Sequence, residues 1–251
     1  MVADFAEDVQ ALMDVVACYA AGSLALGDYR PAVSDLDLVA VARTELDEQA
    51  RRRAEAWHRA YVERDGRAAR LHCVYVALDQ ARDVRRPHPT WAHGELFDRP
   101  LSGIARAELQ RAGVVVLGPA PAEVFSPVDH QALTSAVLDE LTGYWADAVH
   151  KPQLWLQDVY VDLGLVLLPR AEAAIEEDRL ITKAEALQRL WRFDVPQGLA
   201  AEIARRRDGH PTSLTTSQRQ QRAEEARRLC ATGISRLTGV RLEVRAPHTP
   251  A

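Results

Sequence analysis

The sequence predicts an α+β fold, in which a mixed sheet with flanking helices is followed by an all-α helical bundle. Three observations carry this. Up to residue 117, segments with helical spacing alternate with short apolar runs, as in a sheet covered by helices. Three prolines then fall close together in "LGPAPAEVFSPVD", a connection between domains. Beyond it strand signals nearly vanish, and Leu133, Val137, Leu141 and Trp145 recur every fourth residue on one helical face. The change of composition puts one domain at 1–125 and a second at 126–251. A chain of 251 residues, 47% apolar, is long enough for both.

In chain order, Ala3 to Met13 has helical spacing and leads into the apolar strand "VVACYA", which ends at Gly22-Ser23. "DLDLVAVA" alternates polar and apolar at its start, as a strand does. "TELDEQARRRAEAWHRAYVER" is a charged amphipathic helix for which Thr44 is the expected N-cap. "LHCVYVAL" (71–78) is a third strand. The Pro- and His-containing stretch from Arg85 to Pro100 reads as a long loop, Ser102 to Arg111 as a helix and "GVVVL" as a short last strand. In the second half, helices are expected over Leu154 to about Glu177, with Pro169 as a kink, and near 182–192 and 216–237.

A net charge of −5 argues against a broad nucleic-acid surface. The three cysteines, Cys18, Cys73 and Cys230, have no zinc-like or paired spacing, which points to a reducing compartment. The N-terminus lacks a basic-then-apolar signal pattern, and no apolar stretch is long enough for a membrane span. The expectation is a cytoplasmic protein with neither membrane nor nucleic-acid partner. Only Lys151 and Lys183 are lysines among 31 basic residues, so each lysine draws notice.

The chemistry-bearing stretch is "YAAGSLALGDYRPAVSDLDLVAV", residues 19–41. Asp35 and Asp37 are two apart on a strand, which aims both carboxylates at one face while Leu36 and Leu38 look the other way. Such a pair is either a polar turn beside an edge strand or a seat for a cation that relieves the repulsion between carboxylates. One or two carboxylates plus substrate phosphates are normal Mg²⁺ ligands. The Gly-Ser pair favours the second reading: Gly22 lets backbone approach a phosphate, and Ser23 offers a hydroxyl donor.

"AGSLALGDYRPAVSDLDLVAV" resembles the signature of the nucleotidyltransferase superfamily: Gly-Ser, a variable loop, then Asp-x-Asp on a strand. The wider chain is similar to aminoglycoside adenylyltransferases of the streptomycin/spectinomycin type. "VVVLGPAPAEVFSPVD" is similar to their connection into the helical domain, and "LPRAEAAIEEDRLITKAEAL" to a helix with an Arg followed by a Lys-containing helix start. The resemblance implies a polymerase-beta-like mixed sheet with a C-terminal helical bundle. It implies Mg²⁺-dependent transfer of AMP from ATP to a hydroxyl of a small acceptor such as an aminoglycoside antibiotic. Asp35 and Asp37 would hold metal, and Gly22, Ser23 and Lys183 the nucleotide. The alternatives are a non-aminoglycoside or protein acceptor, or a catalytically degenerate nucleotide-binding protein.

Two positions depart from the family pattern. Where those enzymes carry a catalytic glutamate at the start of the third strand, this chain has His72. It is either a base, able to take a proton near pH 7, or a strand-end histidine without a task; imidazole is a poorer Mg²⁺ ligand than carboxylate. Where the pattern has a substrate-contacting tryptophan after Gly-Glu, this chain has Leu96, with Trp91 five residues earlier as a second acceptor candidate. In the helical half, Thr182 and Glu185 have capping-box spacing, which puts Lys183 in a first helical turn suited to an anion. Arg170 matches a family arginine and is given a structural role. Asp158 and Asp162, four apart on one helix face, are candidates to receive a cationic acceptor.

Overall fold

The computed structural model describes residues 2–31 and 33–243. The chain divides into two compact units, the first ending at Asp129 and the second beginning at His130.

The first unit begins with α1 (Val2–Met13), β1 (Val15–Ala20), the short α2 (Gly22–Ala25), β2 (Leu36–Ala42), α3 (Glu48–Arg64) and β3 (Leu71–Ala77). The order continues with β4 (Pro87–Ala92), β5 (Glu95–Pro100), α4 (Gly103–Ala112), β6 (Val114–Leu117) and α5 (Pro121–Val124). The strands form one mixed sheet in the order β5-β4-β3-β2-β1-β6, with β2 and β3 parallel and the other neighbours antiparallel.

Both faces of this sheet are covered. Leu36, Leu38, Ala40, Cys73, Tyr75 and Trp91 pack with Phe5, Val9 and Tyr61, residues of α1 and α3. Val39, Val41, Val74 and Val76 face the other way and pack with Leu109, Val124 and Phe125, of α4, α5 and the residue after it. The alternation follows from the two-residue period of a strand, and it decides which side chains can share a site.

Two readings of this half need correction. The N-cap of α3 is Asp47, whose carboxylate accepts from the Ala50 N–H (2.7 Å), and not Thr44. Both are capping residue types, and the helix begins three residues later than the first candidate allows. The stretch read as a long loop is the β4–β5 hairpin. Its prolines conceal it: β4 pairs with β3 only at Trp91 and Thr90, so Pro87 and Pro89 lie where no β3 partner needs their missing N–H. The two-residue turn is His93-Gly94, with φ of +54° and +84°.

The second unit is helical, with no strand among its described residues. It contains α6 (His130–Glu140), a π-helical stretch Leu141–Trp145, α7 (Ala146–Val149), α8 (Asp158–Glu177), α9 (Lys183–Arg189), α10 (Gln197–Arg207) and α11 (Thr216–Thr238). Leu133, Val137, Leu141 and Trp145 are all buried, as their spacing requires. Helix α8 continues through Pro169, and its Gly164 lies against Trp145 and Trp155, where a Cβ would stand 2.7 Å from a Trp155 ring carbon. Among the described residues no helix is long and apolar enough to cross a membrane.

Candidate active site

The site is built where β1 ends beside the start of β2. The Ala21 N–H donates to the Asp37 carbonyl (2.8 Å), and the chain then turns at Gly22 with φ +59°. The turn closes through Leu26 N–H to the Gly22 carbonyl (3.1 Å) and Asp28 N–H to the Ser23 carbonyl (2.8 Å). This seats Gly22 on the Asp37 carboxylate: a Cβ there would lie 2.2 Å from Oδ2. Glycine is thus required twice, for its positive φ and for the space.

Asp35 stands immediately before β2 and Asp37 is its second residue, both with side chains a little under half exposed. Each faces a cationic or imidazole neighbour. Asp35 Oδ1 is 3.7 Å from Arg70 Nη1, and Arg70 also donates to the Val33 carbonyl (2.9 Å). In the parallel ladder Asp37 is the direct partner of His72, and Oδ1 stands 3.6 Å from His72 Nδ1. The His72 ring is only 12% exposed and meets the His93 ring edge-to-face at 4.7 Å. Sequence reasoning missed Arg70 and His93. The signal for His93 was the His-Gly dipeptide, a two-residue hairpin turn once the flanking stretches are seen as strands.

A divalent cation fits this arrangement. The two carboxylates are accessible, with side chains a little under half exposed, and glycine at position 22 lets the backbone turn pack directly against Asp37 Oδ2. Among the described residues no group of three or more His, Cys, Asp or Glu forms a self-sufficient metal cage. Substrate oxygens or water would therefore complete the coordination, as is usual for ions that work on phosphates.

The two acceptor candidates of this unit are corrected by the sheet. Trp91 is 2% exposed, stacks on His58 at 4.7 Å and packs into the cluster under α1 and α3. Leu96 is its cross-strand partner and packs against that same cluster. Both therefore look away from the face that carries Asp37 and His72. Phe97, paired with Thr90 and through it with Val74, is the residue of β5 that shares the site's face.

In the second unit Asp158 and Asp162 are corrected as well. Asp162 binds Arg206 through Oδ2 to Nε (2.9 Å), and Asp158 accepts from Arg222 (2.7 Å) with Arg219 at 3.6 Å. Glu202 joins both arginines to the cluster. Burial pushes the Asp162 carboxyl up while Arg206 pulls it down. These carboxylates are already neutralised inside the helical unit, so they are not a free receptor for an amine. Lys183 is the first residue of α9, with the capping box formed: Thr182 Oγ1 accepts from Glu185 N–H (3.0 Å) and Glu185 accepts from Thr182 N–H (2.9 Å). Arg170 donates through Nε to the Ile181 carbonyl (3.1 Å), tying α8 to the turn that precedes Thr182.

No curated protein matches the sequence. Residues 2–79, from α1 to just past β3, match the family model described as nucleotidyltransferase domain. By that match, residues 2–79 are nucleotidyltransferase-like. That domain is an enzyme domain, and its match spans Gly22, Ser23, Asp35, Asp37 and His72. Among solved structures, the spectinomycin adenyltransferase AAD(9) from Enterococcus faecialis, determined with ATP and spectinomycin, is similar over 91% of this chain and 98% of its own. The TM-score is 0.67 at 12% identity, so the likeness is one of fold. In fold, the chain is similar to that spectinomycin adenyltransferase.

Proposed function

We propose that the chain transfers AMP from ATP to a hydroxyl of a small cationic acceptor, an aminoglycoside-like compound. The single observation that supports this most is the seating of a tight, positive-φ glycine turn directly against Asp37, one of two nearly half-exposed carboxylates. That arrangement brings backbone N–H groups close to accessible carboxylates, which suits a triphosphate and its cation. The likeness in fold to a spectinomycin adenyltransferase solved with ATP supports the nucleotide and the acceptor class.

In this reading the acceptor oxygen bonds to the α-phosphorus, the bond to the bridging oxygen breaks, and pyrophosphate leaves. Asp35 and Asp37 hold the divalent cation, for which carboxylates and phosphate oxygens suit Mg²⁺; when bound it supplies charge stabilisation to the transferring phosphoryl group. Gly22 gives the backbone its close approach and Ser23 donates a hydroxyl hydrogen bond to phosphate; Lys183, in the helical unit, is the residue to which the sequence resemblance assigns a nucleotide-binding role. His72 stands where the resemblance puts a general base.

The test is calorimetric titration with ATP and Mg²⁺ of the wild type and of Asp35→Asn/Asp37→Asn, followed by pyrophosphate release against an aminoglycoside panel. Binding that requires both cation and carboxylates, with release on adding an acceptor, is the expected result. Metal-dependent binding with no release for any hydroxyl acceptor favours a degenerate nucleotide-binding protein. No ATP binding in the wild type overturns the reading.

A further inference from the structure

The two carboxylates of the site have different surroundings, and the difference is chemical. Asp35 faces the Arg70 guanidinium, which cannot ligate a metal, whereas Asp37 faces the ring nitrogen Nδ1 of His72 at 3.6 Å. That spacing is too long for a hydrogen bond. Two donors that each lie about 2.1 Å from one ion, at angles of 90–110°, stand about 3.0–3.4 Å apart. A rotation of either side chain by a few tenths of an ångström closes the gap. The backbone already holds the two in register as direct partners of a parallel ladder. The His93 ring, set edge-on to His72 from a turn residue at φ +54°, restricts the plane of the imidazole.

We propose that Asp37 and His72 together form a mixed oxygen–nitrogen seat for a divalent transition ion, distinct in its preference from the oxygen-only seat that Asp35, Asp37 and phosphate would offer Mg²⁺. The preference follows from ligand type. Imidazole suits the borderline ions of the first transition row, while Mg²⁺ demands oxygen and gives up water reluctantly. The inference rests on the nucleotidyltransferase reading of the site and deepens it, because it gives His72 the work of a ligand. The acceptor's proton then leaves to solvent.

The test uses Co²⁺, whose visible d–d absorption reports nitrogen ligation, titrated into the full chain with and without a non-transferable ATP analogue, and in competition with Mg²⁺. The variants are His72→Ala, His72→Glu and Asp37→Asn, each checked for a native circular dichroism spectrum. The wild type is expected to show a nitrogen-shifted Co²⁺ spectrum that is lost in all three. The ratio of Co²⁺ to Mg²⁺ affinity is expected to fall at least ten-fold in His72→Glu, with Mg²⁺ binding strengthened. An all-oxygen site also favours Co²⁺ over Mg²⁺, so the change of ratio on substitution is the deciding quantity. An unchanged spectrum and ratio in the His72 variants, with ATP analogue still bound, overturns the seat and leaves nucleotidyl transfer standing. A His72-dependent Co²⁺ spectrum without analogue binding under any ion keeps the seat and overturns nucleotidyl transfer. If His72→Ala does not fold, His72→Glu decides alone.

Discussion

Gly22 and Asp37 approach so closely that a methyl group on the first would lie 2.2 Å from a carboxylate oxygen of the second. The positive φ of Gly22 adds a backbone cost of about 1–2 kcal/mol for any L side chain there. Gly22→Ala is therefore expected to lower stability by about 1–3 kcal/mol and to displace the Asp37 carboxylate. Urea unfolding reads the first effect. Metal-dependent ATP binding reads the second, expected to weaken at least ten-fold. Unchanged binding in a folded Gly22→Ala protein argues against a phosphate or its cation beside this turn.

Trp91 and Leu96 are expected to act on stability and not on acceptor choice, because both pack on the sheet face opposite His72. Trp91→Ala removes a ring that is buried and stacked on His58, and large core truncations of this kind cost about 3–5 kcal/mol. Trp91→Phe is the informative variant, since it keeps most of the packing. Its acceptor KM should equal the wild type's while its thermal midpoint falls. A large rise in acceptor KM with the midpoint unchanged would put the ring back in the acceptor site.

Acid sensitivity is expected to arise in part from His58. It is 1% exposed, burial holds its imidazole down to about 3, and Nε2 lies 2.7 Å from the Tyr75 hydroxyl. The folded pKa lies below the unfolded value of 6.5, so between about 3 and 6.5 the unfolded chain binds more protons. Stability contributed by this group is intact above 6.5 and is lost as pH falls through that window, by a few kcal/mol at about pH 4. Denaturation midpoints at pH 7 and pH 4.5 measure the slope. His58→Phe, although less stable at pH 7, should show a shallower drop; an equal drop assigns the acid sensitivity to other groups.

The start of α9 separates a structural from a functional contribution. Thr182→Ala breaks one half of the observed capping box and is expected to cost about 1 kcal/mol. Lys183→Ala leaves the box in place. If Lys183 meets a nucleotide phosphate, the same substitution weakens ATP binding by about ten-fold, the order expected for a charge-assisted hydrogen bond. Equal ATP affinity in Lys183→Ala and wild type removes Lys183 from the nucleotide site.

Much of this was legible without coordinates because it is local. Asp-x-Asp on an apolar strand, Gly-Ser at the end of the strand before it, the Thr182–Glu185 spacing and the four-residue stripe from Leu133 to Trp145 are all short-range patterns. Strand and helix periods carry them directly. Two readings failed at this range: the N-cap of α3, since Thr44 and Asp47 are both capping types and only the backbone chooses between them, and the β4–β5 hairpin, hidden by its prolines.

What the sequence by itself determined is therefore a set of local motifs, Gly22-Ser23 and Asp35-x-Asp37 among them, and the strands β1, β2 and β3 that carry or flank them. The tertiary structure decided their company. A strand's two faces are fixed by its register, and that register turned Trp91 and Leu96 away from Asp37 while bringing His72 directly opposite it. Asp158 and Asp162 looked free because their partners, Arg222 and Arg206, lie 64 and 44 residues further along the chain. Pairings over such distances depend on how helices pack against one another, and no local period records that.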